Sequence, residues 1–370
     1  MLSAEDNDRL TRVGRGTPGG ELLRRYWWPI AISERVTNKP APVRLLGDDL
    51  ILFRSGGKLG LLDRACAHRG TSLEYGRVEE RGIRCCYHGW LYDCQGQCIE
   101  QPMEPEGSTY AEKVSLQSYP TEEAGGFVFA YLGPSPAPVL PRYDVFDRRD
   151  GTHALDTSSD QCNWLQRAEN GVDQGHLPVL HASVYPHLAL QRPAKYEWQP
   201  MPYGVRNVFH MHGQPPRVIH FIFPSHSRIS TTPRVGYVPS HDLRLRVPTD
   251  DFTTTTFADR FTPSKDGEYK VTVTVRDSTP RGVYRRVEDG WFDIPSELQD
   301  KVAQEGQGPI ADRSKEHLAY SDRGIILFRK MIEDSMRAID EGRDPFGVIR
   351  DPAAAEMTFD STLPEEAYAV

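Results

Sequence analysis

Two short stretches constrain this chain of 370 residues more than anything else in it: Cys66-Ala-His68-Arg-Gly70 and Cys85-Cys86-Tyr-His88-Gly89-Trp90. Each arm pairs a thiol with an imidazole, Cys66 with His68 and Cys85 with His88, two or three positions apart, and each pair is followed by a glycine suited to a tight turn. Five of the six cysteines fall between Cys66 and Cys98. In a reducing compartment such clustering points to metal before disulfide. Around the arms the apolar residues come in short, strand-like runs: VRLLG, DLILFR, KLGLLD, GIRCCYHGWLYD and GGFVFAYLG. Turn signals such as Ser55-Gly56-Gly57 and Gln95-Gly96 separate them. The pattern predicts a small β-barrel in which two loops approach from one end.

Two thiolates and two imidazoles suit a Rieske [2Fe–2S] centre, with two Cys on one iron and two His on the other. A structural zinc site also takes two Cys and two His, but zinc fingers pair Cys with Cys and then His with His. Here each arm supplies one of each, as two loops holding a two-iron cluster would. Cys66, His68, Cys85 and His88 are therefore the predicted cluster ligands. Cys86 reads as a strand residue facing the barrel core. No histidine lies near Cys94 and Cys98, which flank the Gln95-Gly96 hairpin, so no third site is read there.

A second constellation lies downstream. Residues 161–176 read as a helix, with Trp164, Leu165, Ala168 and Val172 recurring on one face. Asp173 and His176 are three apart, on one face of that helix. Pro178 should break it, so that His181 comes from the following turn. Two histidines with one carboxylate from elsewhere make the facial triad of non-haem Fe(II) oxygenases, which leaves coordination positions open for dioxygen and substrate. Glu169 and Asn170, one turn earlier, are predicted to face the same pocket. The residues alone leave the third ligand open among Asp293, Glu297, Asp300, Glu305 and Asp312.

The remaining sequence sets the frame. Residues 6–36 carry short helical patterns, with Asp6 or Asn7 as a cap for the first and Thr17-Pro18 opening the second. GPSPAPVLP at 133–141 reads as a stiff extended linker. The predicted domains are a helical segment 1–42, a Rieske domain 43–135 and a catalytic domain 136–370. RNVFHMH, RVIHFIF, HSRISTTP, DFTTTTFAD and YKVTVTVRD are strand candidates. Residues 321–342 form a long amphipathic helix, with Ser321 as N-cap and Gly342 as stop. The last ~20 residues are acidic and expected to be loosely held. With 44 basic against 52 acidic residues the net charge is −8, which argues against nucleic acid or an anionic membrane as partner. No apolar run approaches the ~20 residues of a membrane span, and the N-terminus has no apolar signal core. The cytoplasm is the expected compartment.

CAHRG, CCYHGW and the spacing Asp-x2-His-x4-His resemble the oxygenase components of the Rieske non-haem iron aromatic-ring oxygenases, in the phthalate dioxygenase and biaryl O-demethylase branch. YWWPIAIS, GFVFAYLGP, NWLQRAENGVDQGHLPVLHA and GPIADRSKEHL extend the resemblance over nearly the whole chain. It implies an α+β protein: an all-β Rieske domain, then a helix-grip (START-like) catalytic domain with an antiparallel sheet curved around long helices. It implies that Asp300, of the Gln299-Asp300 pair, completes the iron site with His176 and His181. It gives Asp173 and Asn170 catalytic roles, Asp173 as a hydrogen-bonded bridge to a cluster histidine of the neighbouring subunit in a head-to-tail homotrimer. The disulfide of respiratory Rieske proteins is not implied, because its two positions hold Thr71 and Tyr87 here. Electrons would come from NAD(P)H through a separate flavin/iron–sulfur reductase. The implied activity is O2-dependent hydroxylation or O-demethylation of a small aromatic, such as a lignin-derived methoxylated compound. The alternative is ring dioxygenation of a phthalate-like carboxylate, for which Arg206, Arg217, Arg228 and Arg234 are candidate anion binders. A Rieske electron-transfer protein without a second iron is the third reading, and the 173–181 motif argues against it.

Overall fold

The structure is a computed structural model and describes residues 2–184, 189–213, 216–231, 240–275 and 294–359. Asp293, Arg234 and the tail from 360 lie outside the described residues, as does the side chain of Glu297. The chain divides into Arg24–Leu140 and a second unit made of Met1–Leu23 with Pro141–Val370. The smaller unit extends beyond the expected 43–135 at both ends, because Trp27–Ile32 pairs with Phe127–Tyr131 and Pro138 is tied to Trp27.

The smaller unit consists of ten short strands: β1 (Trp27–Ile32), β2 (Ala41–Leu45), β3 (Asp48–Ser55), β4 (Lys58–Asp63), β5 (Arg77–Glu79), β6 (Gly82–Arg84), β7 (Leu91–Tyr92), β8 (Cys98–Glu100), β9 (Thr121–Ala124) and β10 (Phe127–Tyr131). They form three antiparallel sheets, β1-β10-β9, β2-β3-β4 and β5-β6-β7-β8. Part of the helical expectation for 6–36 fails at β1. WWPIAI is apolar on both faces, and it finds its backbone partners in β10, with Trp27 opposite Tyr131. The indole of Trp27 also donates to the Pro138 carbonyl, which keeps the proline-rich segment with this unit. Ile51, Phe53, Leu62, Leu73, Ile83 and Tyr92 fill the core, and Cys66, Cys85 and Trp90 belong to the same cluster. Gly82 is required where β6 passes β7: its φ is +153°, and a Cβ there would lie 1.9 Å from the Tyr92 carbonyl oxygen.

In the larger unit, α1 (Ala4–Thr11) is capped by Ser3, whose hydroxyl accepts from the Asp6 amide, rather than by Asp6 or Asn7. α2 (Pro18–Leu23) opens at Pro18. Strand β11 (Arg142–Tyr143) pairs with β20 (Glu356–Met357). The main sheet contains β12 (Gly151–Asp160), β13 (Pro193–Met201), β14 (Gly204–Met211), β15 (Arg217–Ile222), β16 (His226–Thr231), β17 (Ser240–Pro248), β18 (Thr254–Pro263) and β19 (Lys270–Val275). Its order is β13-β14-β15-β16-β17-β18-β12-β19, antiparallel throughout except that β19 runs parallel to β12. The antiparallel sheet expected from the resemblance is thus mixed at one edge.

Among the described residues the unit also holds α3 (Trp164–Asn170), α4 (Leu177–Leu180), α5 (Ser296–Glu305) and α6 (Arg323–Asp340). α6 buries Phe328, Ile332 and Met336, a stripe at spacing four. Phe328 meets Phe221 of β15 and Trp164 of α3 edge-on. The first turn of α6 passes so close to the sheet that a Cβ on Gly324 would lie 2.2 Å from the Trp198 indole nitrogen and 2.4 Å from the Val172 carbonyl oxygen. The N-cap of α6 is Asp322, one residue beyond the predicted Ser321, and Gly342 follows the helix at φ +73°.

Candidate metal centres

The two arms of the smaller unit are built alike. The Gly70 amide donates to the Cys66 carbonyl and the Gly89 amide to the Cys85 carbonyl, at 2.8 and 3.1 Å. Both glycines sit at positive φ, +76° and +75°, where a side chain is strained. The Cys66 amide donates across its loop to Thr71, and the Cys85 amide to Trp90. Each cysteine is thus held at the buried root of its loop and each histidine nearer the rim. The His68 and His88 rings are 4.4 Å apart, and His68 stacks on Trp90 at an interplanar angle of 5°. Tyr92 places its hydroxyl 3.2 Å from the Cys66 sulfur. Burial, then the neighbouring Cys66, pushes the Cys85 thiol above its ordinary pKa in the metal-free protein. Arg84 braces the second arm from below, donating to the Gly89 carbonyl and pairing with Glu79 and Glu100. Those pairings hold Glu79 down to a pKa of about 2, with Arg84 the larger influence and Arg77 next.

Two buried sulfurs and two rim imidazoles on paired loops fit a Rieske [2Fe–2S] cluster by geometry and by donor type. All six cysteines are free. Cys86 departs from its expected place: it is exposed in the loop, not turned into the barrel core. It falls after β6 has ended at Arg84, so strand alternation no longer directs it inward.

The helix predicted over 161–176 stops at Asn170. Gly171 caps it, and Asp173 takes the Gly175 amide onto its own side chain at 2.7 Å, a turn that competes with helical bonding. Asp173 and His176 therefore share a turn rather than a helical face. Pro178 does not break a helix; it lies in the first turn of α4, where a missing N–H costs nothing. His176 is the N-cap of α4 and His181 its C-cap. Four residues thus separate the two histidines, and one short helical turn brings their ring centres to 5.3 Å.

α5 delivers the carboxylate. Asp300 Oδ1 lies 3.4 Å from His181 Nε2 and 3.7 Å from His176 Nε2. Ligand atoms of His176, His181 and Asp300 all lie within 4.8 Å of one another, a spacing at which one ion can touch all three. Two imidazoles and a carboxylate are the donor set that Fe(II) takes in such sites. Burial pushes the Asp300 carboxyl up, but the His181 hydrogen bond and the charges of His176, His181 and Arg167 outweigh it, so the group is held well below the usual carboxylate range. The carboxylate is therefore ionised before any metal arrives.

Asn170 reaches the same point: its amide nitrogen is 3.3 Å from Asp300 Oδ1 and 3.4 Å from His176 Nε2. Asp173 accepts from His176 Nδ1 at 3.2 Å. Glu169 does not face the site. It is enclosed by Arg313 and Arg329. Glu305 pairs with Lys301, and Asp312 is exposed beside Lys315. Of the candidate arginines, Arg228 is held by Asp144 and Arg206 donates to Gln199. Arg217 acts electrostatically on His181. Gln299, not among the predicted site residues, accepts from His181 Nδ1 at 2.8 Å. The only sequence signal for it is adjacency to Asp300.

The Rieske [2Fe-2S] domain family matches residues 26–120. The chain is 39% identical to the oxygenase subunit of 5,5'-dehydrodivanillate O-demethylase from a Sphingobium species, over 95% of this chain and 85% of that one. It is 36% identical to the alpha subunit of phenoxybenzoate dioxygenase from Ectopseudomonas oleovorans, over 92% and 87%. Among solved structures, an NdmA mutant of Pseudomonas putida CBB5 with caffeine has a TM-score of 0.72 at 20% identity, covering 90% of this chain and 99% of that chain. That likeness is one of fold. The chain belongs to the Rieske oxygenases, as an oxygenase component and hence an oxidoreductase. Among the described residues no helix is long and apolar enough to cross a membrane.

Proposed function

We propose that this oxygenase component hydroxylates or O-demethylates a small aromatic compound, with an aromatic acid carrying a methoxy group as the preferred class. The single observation behind the chemistry is the convergence of His176, His181 and Asp300 from two separate segments onto one point. The substrate class is supported by the dehydrodivanillate O-demethylase and phenoxybenzoate dioxygenase relatives. Ring dioxygenation of a phthalate-like carboxylate is the second reading, favoured by the 30% identity to phthalate 4,5-dioxygenase of Pseudomonas putida.

Cys66, Cys85, His68 and His88 would hold the [2Fe–2S] cluster, and His176, His181 and Asp300 an Fe(II) ion. Bound there, the two groups together supply electron-driven activation of O2. The protein's own part is positioning. Asp173 keeps the Nδ1 proton of His176 and so leaves the Nε2 lone pair to the metal side. Asn170 offers an amide donor beside Asp300, at hydrogen-bond reach of a small group entering the site. Asp173 spends one oxygen on His176 and the other on Gly175, and a carboxylate has lone pairs left for a further donor. That further donor is the cluster histidine of a neighbouring subunit, which makes a head-to-tail trimer the working form. Electrons come from NAD(P)H through a separate flavin/iron–sulfur reductase or a ferredoxin. A carbazole 1,9a-dioxygenase oxygenase of the same fold has been solved with its ferredoxin, with a TM-score of 0.65. The reaction belongs in the cytoplasm.

The test is turnover with a reductase and a panel of methoxylated and carboxylated aromatics, scoring formaldehyde against cis-diol. Formaldehyde with a phenolic product supports O-demethylation, and diol alone supports the second reading. Iron at about two atoms per chain rather than three, with two acid-labile sulfides, would leave only an electron-transfer protein.

A further inference from the structure

We infer that Gln299 is a positioning residue that fixes the ring orientation and tautomer of His181. The inference rests on the proposed reading of His176, His181 and Asp300 as holders of the mononuclear iron. Gln299 is completely buried. Its amide nitrogen donates to the Ile294 carbonyl at 3.1 Å and to the Ser183 hydroxyl at 2.9 Å. A backbone carbonyl only accepts, so the reversed amide would set two carbonyl oxygens against each other. The hydrogen-bond network thus assigns which end of the amide is nitrogen. Oε1 is left facing His181 Nδ1 at 2.8 Å.

An amide oxygen also only accepts. His181 Nδ1 must therefore carry a proton, and in the neutral ring the lone pair falls on Nε2. That is the nitrogen facing Asp300, at 3.4 Å. Gln299 and Asp300 are neighbours on α5, and they meet the two nitrogens of one imidazole. The same helix thus supplies a ligand and aims its partner. The two histidines are backed differently. His176 leans on the carboxylate of Asp173, and His181 on a neutral amide. The Asp173 side chain makes His176 the stronger electron donor, while Gln299 supplies direction without charge.

The test compares Gln299→Met, Gln299→Glu and His181→Ala in the full-length protein with its cluster intact, as judged by the Rieske absorbance. Fe(II) affinity is measured by equilibrium dialysis. The electron paramagnetic resonance spectrum of the nitric oxide adduct of the bound Fe(II) reports ligand geometry, with the cluster oxidised and silent. Gln299→Met keeps length and volume but loses the oxygen acceptor. It should weaken Fe(II) binding about 10–100-fold and alter the rhombicity of the spectrum. Gln299→Glu keeps an acceptor at the same reach, but its second oxygen faces the Ile294 carbonyl and can donate there only when protonated, so it should recover part of the affinity. Wild-type affinity and spectrum in Gln299→Met, or equal losses in both variants, overturn the inference. Iron retained in His181→Ala overturns the metal reading and this inference with it. Iron lost there but held normally in Gln299→Met overturns this inference alone. Should Gln299→Met fail to fold, Gln299→Asn withdraws the acceptor by one methylene, and the same loss is expected of it, with wild-type binding again decisive against.

Discussion

Asp173 and Asp300 are both carboxylates within reach of His176, yet they stand on opposite edges of its ring: Asp173 at Nδ1 and Asp300 toward Nε2. That geometry separates their variants. Asp300→Asn removes the anion from the triad and should cut Fe(II) affinity by about 10–100-fold, read by counting iron after dialysis. Asp173→Asn should leave both metal sites loaded, because neither loses a ligand. Its neutral amide makes a weaker link than a charge-assisted bond. Transfer from the reduced cluster should slow by orders of magnitude, followed as reoxidation of the Rieske absorbance after O2 is added to substrate-bound enzyme. Fast reoxidation with full product yield would remove Asp173 from the electron path. Loss of iron would make it an essential support of the site.

At the scale of elements, one close fit lies beside the candidate site. Gly324 admits α6 against Trp198 and the Val172 carbonyl, one residue before Asp173. Alanine normally favours a helix interior by up to ~1 kcal/mol over glycine, but here its Cβ meets backbone oxygen at 2.4 Å. Gly324→Ala should therefore destabilise, by about 1–3 kcal/mol in urea unfolding, and loosen the 171–176 turn enough to lower iron occupancy. A stabilised variant with full iron would refute the close-packing argument.

On β16, His226 is buried at 2% exposure. Burial first, then the Arg246 charge, pushes its pKa down to about 3. In the unfolded chain it returns to about 6.5. Above that pH both states are neutral and His226 adds no pH dependence. Between about 6.5 and 3 the unfolded chain takes up a proton that the folded one refuses, so stability falls as pH falls, by up to ~1.4 kcal/mol per unit. Urea unfolding from pH 7 to 4.5 should show this slope, and His226→Gln should flatten it. An unchanged slope would mean that the ring is charged or solvated in the native state.

On the scale of the whole molecule, the two compact units each carry their own set of candidate ligands, Cys66, His68, Cys85 and His88 in one and His176, His181 and Asp300 in the other. Loss of one centre should therefore leave the other. His68→Ala should abolish the Rieske absorbance and NADH-coupled turnover while about one Fe(II) per chain remains bound. Its thermal unfolding should show an earlier transition for the barrel unit and an unchanged one for the rest. Retained coupled activity would mean that electrons do not enter at residues 66–88.

Chemistry that is local in sequence was legible in the sequence. The two arms close on themselves through i to i+4 bonds ending at Gly70 and Gly89, so their ligands and turns lie within five residues of one another. The same holds for His176 and His181, and α6 announced its buried stripe by its period. Long-range features were not legible. WWPIAI reads equally as a buried helix segment or a strand, and only the partner β10, about 100 residues away, decided for the sheet. Composition alone could not rank Asp300 among five carboxylates; the resemblance named it, and the packing of α5 puts its carboxylate beside both histidines. Glu169 and Asn170 are neighbours of similar polarity, but consecutive positions on α3 point about 100° apart, so one meets the buried arginines and the other Asp300. Gln299 has no sequence signal beyond its place in the Gln299-Asp300 pair. Its role arises where Ile294, Ser183 and His181 meet around one amide, because directed hydrogen bonds between distant segments exist only once the chain has folded.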